Sequence, residues 1–81
     1  MKVSVKVFPI AGVSDAAQEL DVTLSEGNLS ELIAILQQRF SVDPHDERIM
    51  ILHNGQAIDS YADEILSDGD RIWMMPCLSG G

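Results

Sequence analysis

The residues whose chemistry is easiest to assign are the last eight, Met74 to Gly81, which read Met-Met-Pro-Cys-Leu-Ser-Gly-Gly. We expect the Gly81 carboxylate to be the free C-terminus, with a pKa of about 3.3–3.7, so it is ionised at neutral pH. Such a carboxylate is a poor electrophile and must be activated before it can acylate an amine or accept sulfur. Glycine lacks a Cβ, so Gly80 and Gly81 can pass through a narrow slot. The five residues from Cys77 onward reach about 17 Å when extended.

A terminal Gly-Gly pair does not by itself indicate a function, because chain ends are commonly disordered. Here the pair directly follows an apolar run that predicts a strand. This coupling favours a tail presented by a folded domain. We therefore predict a domain over residues 1–76 and a flexible tail over residues 77–81.

Composition restricts the partners and the compartment. Five basic residues stand against thirteen acidic ones, which gives a formal net charge of −8 at pH 7. Nucleic-acid binding depends on Lys and Arg, so this balance argues against nucleic acid. It favours a partner with a basic docking surface, or it serves solubility. A single cysteine and the lack of a signal peptide or long apolar run predict a soluble cytoplasmic protein that is not bound to a membrane.

Periodicity predicts the elements that position the tail. Lys2–Phe8 and Gln18–Leu24 alternate between apolar and polar residues, which is typical of the two strands of a hairpin. Asn28 is a candidate N-cap for a helix over Leu29–Phe40, with Glu31 placed as in a capping box. The single apolar stripe of this helix requires one sheet face to cover.

The second half of the chain predicts three further strands: Arg48–His53, Gln56–Ile58 and Arg71–Met75. A polar loop is expected over Ser41–Glu47, and a helical turn over Tyr61–Leu66. Asn54-Gly55 and Ser67–Asp70 provide tight turns. The element order is then β-β-α-β-β-β, the order of a ubiquitin-like β-grasp domain of the α+β class. Such a domain has a mixed sheet of about five strands, one helix on one face, and its last strand parallel to the first in the centre.

Alternation also predicts which side chains the helix leaves uncovered. Ile72, Met74, Ile49 and Ile51 are expected in the core, together with the valines of the first strand. The opposite side would then carry an apolar patch that binds a partner: Phe8, Met50, Leu52, Trp73, Met75 and Pro76. Contiguous apolar residues of this kind mark interaction surfaces. A register error of one residue would exchange patch and core.

Few other residues suggest chemistry. Cys77 lies four residues before Gly81 and could relay sulfur, but no neighbouring base is visible, so packing or an interface is the preferred interpretation. His45 and His53 show no metal-ligand spacing with Cys77 and are expected at solvent-facing or turn positions. The acidic residues form no pair with catalytic spacing and are expected on the solvated surface. Three arginines are candidates for an ion pair with a partner: Arg39, Arg48 and Arg71.

The run from Asp68 to Gly81 resembles the C-terminal end of the ubiquitin-like sulfur carriers of the MoaD/ThiS type. Its Asp-Gly-Asp turn, apolar strand, Pro76 and terminal Gly-Gly all have counterparts there. The length and the Met-Met-Pro run favour the small subunit of molybdopterin synthase, whereas the segment around Asn54-Gly55 is closer to the thiamine-pathway carriers. The chain departs from the molybdopterin type after its first strand, which lacks a basic-acidic motif, and at Cys77.

The resemblance implies a carrier that is not itself an enzyme and binds no cofactor or metal. An E1-like activating enzyme would use ATP and Mg²⁺ to adenylate Gly81. Sulfur from a persulfide donor protein or sulfide would replace AMP and leave a thiocarboxylate. That group would pass sulfur to a precursor held by a cofactor-synthesis enzyme, such as the molybdopterin synthase large subunit. Leu78, Ser79 and Gly80 would enter the active sites of these partners with Gly81.

Two other functions remain open from the sequence. The same activation would serve a ubiquitin-like modifier whose Gly81 is conjugated to lysine amines, and conjugates on a blot of cell lysate would favour it. A β-grasp binding module with an incidental Gly-Gly end is the other alternative, and deletion of Gly80 and Gly81 without loss of function would support it. An independent enzyme is not indicated, since no nucleophile–base pair is visible.

Overall fold

A computed structural model of the chain describes residues 1–9, 16–40, 49–58 and 64–77. Within these ranges, five strands form one mixed sheet, and a single helix covers one of its faces. The elements are β1 (Lys2–Val7), β2 (Gln18–Thr23), α1 (Leu29–Phe40), β3 (Ile49–His53), β4 (Gln56–Ala57) and β5 (Arg71–Pro76). The predicted β-grasp element order and α+β class are confirmed. Each strand agrees with the prediction at one end and differs from it by one residue at the other.

The strand order in the sheet is β2-β1-β5-β3-β4, so β5 lies in the centre. It runs parallel to β1, with Ser4 beside Arg71 and Val7 beside Met74. Its other neighbour, β3, is antiparallel to it. The predicted central, parallel position of the last strand is therefore confirmed, and the tail leaves the domain from the middle of the sheet.

Helix α1 begins where the sequence predicts because its first turn is capped from both directions. The Oδ1 atom of Asn28 accepts the Glu31 N–H at 2.8 Å. The Glu31 carboxylate turns back and accepts the N–H groups of Ser25 at 2.8 Å, Glu26 at 2.7 Å and Gly27 at 3.2 Å. The Ser25 N–H is the main cause that lowers the pKa of Glu31. Glu31 thus fixes the chain before the helix as well as the helix itself.

The hydrophobic core lies between α1 and the sheet face toward it. Strand alternation decides which side chains enter it, and β5 shows this most sharply: Ile72 and Met74 are 0% exposed, whereas Trp73 between them is 39% exposed. The predicted strand register is therefore confirmed. The buried apolar residues are Val3, Val5, Val7, Val22, Leu24, Leu29, Leu32, Ile33, Leu36, Ile49, Ile51, Leu66, Ile72 and Met74.

The segment before β5 differs from the prediction. The helical turn expected over Tyr61–Leu66 is wrong for its described part, because Ile65 forms an antiparallel bridge with Asn28. The Leu66 N–H also donates to the Gly27 carbonyl at 2.9 Å. Extended backbone here closes hydrogen bonds with the chain entering α1, which a helical turn would leave unmade.

Some predicted features lie outside the described residues, namely residues 61–63, the polar loop over Ser41–Glu47 with His45, and Arg48. Within the described ranges, α1 is the longest helix at 12 residues and is too short to cross a membrane.

Candidate functional site

The sheet face away from α1 carries apolar side chains on its three central strands. Phe8 follows β1, Met50 and Leu52 lie on β3, and Trp73 and Met75 lie on β5. The side chain of Trp73 is exposed, and the other four are half-buried. We call these five residues the outer patch.

The strand register makes the outer patch contiguous. Leu52 lies opposite Trp73, and Met50 lies opposite Met75. The rings of Phe8 and Trp73 meet edge to face, with centroids 5.6 Å apart and an interplanar angle of 63°. Five of the six residues predicted for this surface are therefore together on one face.

Pro76 is the exception and needs a correction. It is the last residue of β5 and lies opposite Ile49, which faces the core. Alternation from the buried Met74 also puts Pro76 on the helix side of the sheet. Pro76 is half-buried there, at the margin between the domain and the tail.

The tail begins directly after β5, next to the outer patch. Cys77, the one cysteine of the sequence, is half-buried, and it is the last described residue. The four residues that the sequence predicts to enter a partner's active site lie outside the described residues: Leu78, Ser79, Gly80 and Gly81.

The opposite end of β5 carries a polar cluster that the sequence did not predict. His53 ends β3 on the helix side, and its side chain is only 15% exposed. Its Nδ1 atom lies 2.7 Å from Oε2 of Glu64, and its Nε2 atom lies 2.6 Å from Oδ2 of Asp70. Of the two positions expected for His53, solvent-facing or at a turn, it lies beside the Asn54-Gly55 turn, with its side chain bonded within the fold and not facing solvent. The prediction that these two acids are merely solvated is wrong. Both ring nitrogens can donate to carboxylates at once only in the imidazolium form.

Asn54 extends this cluster into the backbone of β5. Its Nδ2 atom donates to Oδ1 of Asp70 at 3.2 Å, and its Oδ1 atom accepts the Arg71 N–H at 2.8 Å. The Asn54 N–H donates in turn to the Arg71 carbonyl at 2.8 Å. Asn54 has a φ of 51° and Gly55 a φ of 90°, as expected for a two-residue Asn-Gly hairpin turn. The turn thus anchors the start of β5. We call His53, Asn54, Glu64 and Asp70 the His53 cluster.

The cluster shifts the pKa values of its members in opposite directions. Burial alone would lower the pKa of His53, but the hydrogen bonds and negative charges of Glu64 and Asp70 raise it above its ordinary value. The Ser67 N–H, followed by the His53 imidazole, lowers the pKa of Asp70. The imidazolium and the Asp70 carboxylate therefore each favour the charged form of the other.

The geometry of the His53 cluster fits a structural role. Its two carboxylates lie against opposite nitrogens of one imidazole, so they do not converge on a common point. Among the described residues, no group of His, Cys, Asp and Glu is arranged to hold a metal ion. The cluster joins β3, β5 and the segment around Glu64, at the end of β5 away from the tail.

The element order, the central parallel strand and the single covering helix define a ubiquitin-like β-grasp protein. A family model described as the ThiS family matches residues 3–81. The chain belongs to the ThiS family.

Individual relatives agree with this assignment. The chain is 33% identical over 58 residues to the molybdopterin synthase sulfur carrier subunit of Drosophila yakuba, a match that spans 70% of this chain and 64% of that protein. It is 28% identical, with a TM-score of 0.72 and 100% coverage of both chains, to a chain of the complex of subunits 1 and 2 of the molybdopterin-converting factor from Helicobacter pylori 26695. SAMP1 from Haloferax volcanii shares the fold, at 21% identity, a TM-score of 0.71 and 100% coverage of both chains. The resemblance to the MoaD/ThiS carriers is confirmed.

Proposed function

We propose that this protein is a sulfur carrier that acts through a thiocarboxylate on Gly81, and that its sulfur is used in molybdopterin synthesis. The observation that carries the proposal is the family match through residue 81, which includes the Gly-Gly pair. The tail that ends in this pair follows directly on the central strand β5, which carries Trp73 and Met75 of the outer patch. The molybdopterin pathway is favoured over a thiamine-type pathway by the Drosophila yakuba relative.

The chemistry begins with the ionised Gly81 carboxylate, which attacks the α-phosphorus of ATP and releases pyrophosphate. An E1-like activating enzyme holds the ATP and Mg²⁺, so this chain supplies the reacting carboxylate and no catalytic side chain. Sulfide attacks the acyl carbon of the adenylate, a C–S bond forms, and the C–O bond to AMP breaks. A persulfide donor protein would need an added thiol to cleave its S–S bond. The product is the Gly81 thiocarboxylate.

The domain's role is to deliver that group to other proteins. We propose that the outer patch docks on the activating enzyme and on the molybdopterin synthase large subunit. Leu78, Ser79 and Gly80 then lead Gly81 into each active site, and the small side chain of Ser79 and the two glycines suit a channel that narrows toward Gly81. The H. pylori structure, a complex of two subunits, is consistent with such pairing. We expect the protein to act in a reducing cytoplasm, because its activation uses ATP and its thiocarboxylate is reactive.

The test is to incubate the protein with its activating enzyme, ATP and sulfide, and to ask whether Gly81 gains sulfur. Intact mass is not sufficient, because replacing oxygen by sulfur adds nearly the mass of one methionine oxidation, and the chain has four methionines. A Cys77→Ala variant, treated with a thiol-selective alkylating reagent and fragmented, locates the adduct. We expect an ATP-dependent adduct at Gly81.

The matched control is the same variant with one residue appended after Gly81. It keeps the fold but moves the carboxylate out of position, so we expect no adduct. Full labelling of the extended variant would contradict the proposal. A lack of adduct on the unextended protein, with an enzyme that is active on another carrier, would favour a modifier or a binding module instead.

A further inference from the structure

The outward residues of the five described strands carry a net charge opposite in sign to that of the whole protein. The chain contains only five Lys and Arg residues and has a net charge of −8. Three of those five, Lys2, Lys6 and Arg71, occupy outward positions on β1 and β5. The outward positions of β1, β3 and β5 contain no acidic residue. The acids that face outward in the five strands are Glu19 and Asp21, both on the edge strand β2.

Lys6 and Arg71, the two of these cations that flank Trp73, differ in what surrounds them. Lys6 is partly neutralised, since its Nζ atom lies 3.8 Å from Glu19 and 5.0 Å from the centre of the Phe8 ring. Arg71 is exposed and forms no ion pair with any described residue. It stands two residues before Trp73 on the same strand and the same face, at the rim of the outer patch.

Asn54 holds the backbone of Arg71 in place. Asn54 bonds both the N–H and the carbonyl of Arg71, each at 2.8 Å. The guanidinium therefore projects from a fixed point of the central strand. Arginine presents several N–H donors in a planar fork that matches a carboxylate, which makes it well suited to pair with an acidic side chain across an interface.

A docked partner interacts mainly with charges that lie within a screening length of it. The screening length at physiological ionic strength is about 8 Å. The shortest extent of the described fold is 19 Å, so acids on the far side of α1 are largely screened from a partner on the sheet side. Asp70 directly precedes Arg71 and lies closer, but its carboxylate is bonded within the His53 cluster. The charges within the contact, and not the net charge, then determine the complementary surface.

We infer that the activating enzyme covers the outer patch with a surface that is apolar at its centre and carries at least one carboxylate opposite Arg71. This inference rests on the proposed function, because it takes the activating enzyme as the occupant. It reverses the expectation from net charge that the partner offers a basic docking surface. Arg71 is thereby singled out from the three arginines that the sequence offered as candidates for a partner ion pair.

The test compares Arg71→Glu with Arg39→Glu. Arg39 is an exposed residue in the last turn of α1, on the other side of the sheet. Both substitutions change the net charge by the same amount, so only the location differs. The measurement is kcat/KM for ATP-dependent adenylation of the carrier, at about 0.05 M and about 0.5 M salt, where screening lengths differ about threefold.

We expect Arg71→Glu to lower kcat/KM about tenfold or more at low salt, mainly through KM, and less at high salt. Arg71→Gln should fall between Arg71→Glu and the unchanged protein. We expect Arg39→Glu to stay within about twofold. Thermal melting shows whether each variant is folded, and if Arg71→Glu is not, Arg71→Gln serves as the test with half the charge change.

Two results would overturn the inference alone. One is an equal effect of Arg71→Glu and Arg39→Glu, which would leave only net charge at work. The other is a higher kcat/KM for Arg71→Glu, which would mean a basic partner surface. A different result would contradict the proposed function itself. In that case an activating enzyme that adenylates another carrier would not adenylate Gly81 of the unchanged protein.

Discussion

The two ends of β5 are held in different ways. At its start, Asp70 and Arg71 are bonded by Asn54, and His53 adds an imidazole between two carboxylates. At its end, β5 is paired within the sheet, as between Ile49 and Pro76, before the tail begins. The start is fixed by polar contacts within the domain, whereas the end presents apolar side chains to the outside.

This difference separates what folding uses from what docking can use. Hydrogen bonds to charged groups contribute about 1.5–3 kcal/mol each to stability, and those at the start of β5 are made within the fold. The outer patch keeps its apolar area partly in water, and Trp73 is 39% exposed. Covering it with a partner would gain about 25 cal/mol for each Å² removed from water. The start of β5 is therefore held by contacts within the domain, whereas its other end offers apolar area that a partner can cover.

Trp73→Glu gives the largest effect expected from this comparison. A charge at the centre of the outer patch should weaken binding to the activating enzyme about 30-fold or more. A central aromatic residue typically contributes about 2 kcal/mol or more to the binding free energy, and about 1.4 kcal/mol corresponds to a tenfold change in Kd. Stability should fall by only about 1 kcal/mol, mostly from lost contact with Phe8. Surface plasmon resonance and urea unfolding measure the two quantities.

Ile65→Glu is the matched control for that prediction. Ile65 is 71% exposed and lies outside the outer patch, so it tests an exposed apolar residue at another position. We expect little change in binding. Equal losses for Trp73→Glu and Ile65→Glu would mean that the outer patch has no special role.

Asp70→Ala tests the other end of β5 and should act in the opposite sense. It removes the acceptor for the Ser67 N–H, the His53 imidazole and the Asn54 amide. We expect the free energy of unfolding to fall by about 2–3 kcal/mol, because the part-buried His53 imidazole and two exposed donors lose a charged acceptor. Adenylation of Gly81 by the activating enzyme, measured at a saturating concentration of the carrier, should be retained below the melting temperature of the variant.

Glu26→Gln is the control for Asp70→Ala, because Glu26 is an exposed acid and accepts no hydrogen bond from a described residue through its side chain. It should leave unfolding nearly unchanged. If Asp70→Ala abolished adenylation in the folded protein, the two ends of β5 would not be separable, and the comparison would fail.

The sequence predicted the parts of this molecule that depend on local pattern. The bounds of α1 follow from its apolar spacing and from Asn28, and the faces of β5 follow from alternation, which puts Trp73 and Met74 on opposite sides. The outer patch could be predicted for the same reason, apart from Pro76. A period of two decides sides within a strand without knowledge of the other strands.

The His53 cluster could not be predicted in this way. His53 lies 11 residues from Glu64 and 17 from Asp70, and only the folded register brings the three together. Acidic residues look alike in a sequence whether they are solvated or bonded. The one available signal was His53 immediately before Asn54-Gly55, which puts a titratable group at a strand end beside a tight turn.

The smallest predicted effect is the pH dependence contributed by His53. Its folded pKa is raised above the ordinary value of about 6.5, so its stabilisation is complete below that pH and is lost as pH rises through the raised value. The pKa of Asp70 is lowered, so its contribution is present above the ordinary carboxylate range and is lost only as pH falls through the lowered value.

The contact between His53 and Asp70 should therefore be strongest in mildly acidic solution, between these two limits. On going from about pH 5.5 to pH 8.5, the unchanged protein should lose about 0.5–1 kcal/mol of stability relative to His53→Gln, a range that allows for solvent screening of a partly exposed pair. Urea unfolding at both pH values measures this. His45→Gln, at the chain's other histidine, should retain the loss. If the free energy of unfolding changed equally with pH for the unchanged protein and His53→Gln, the start of β5 would not be held by the charge on His53. The contrast between the two ends of β5 would then rest on Asn54 alone.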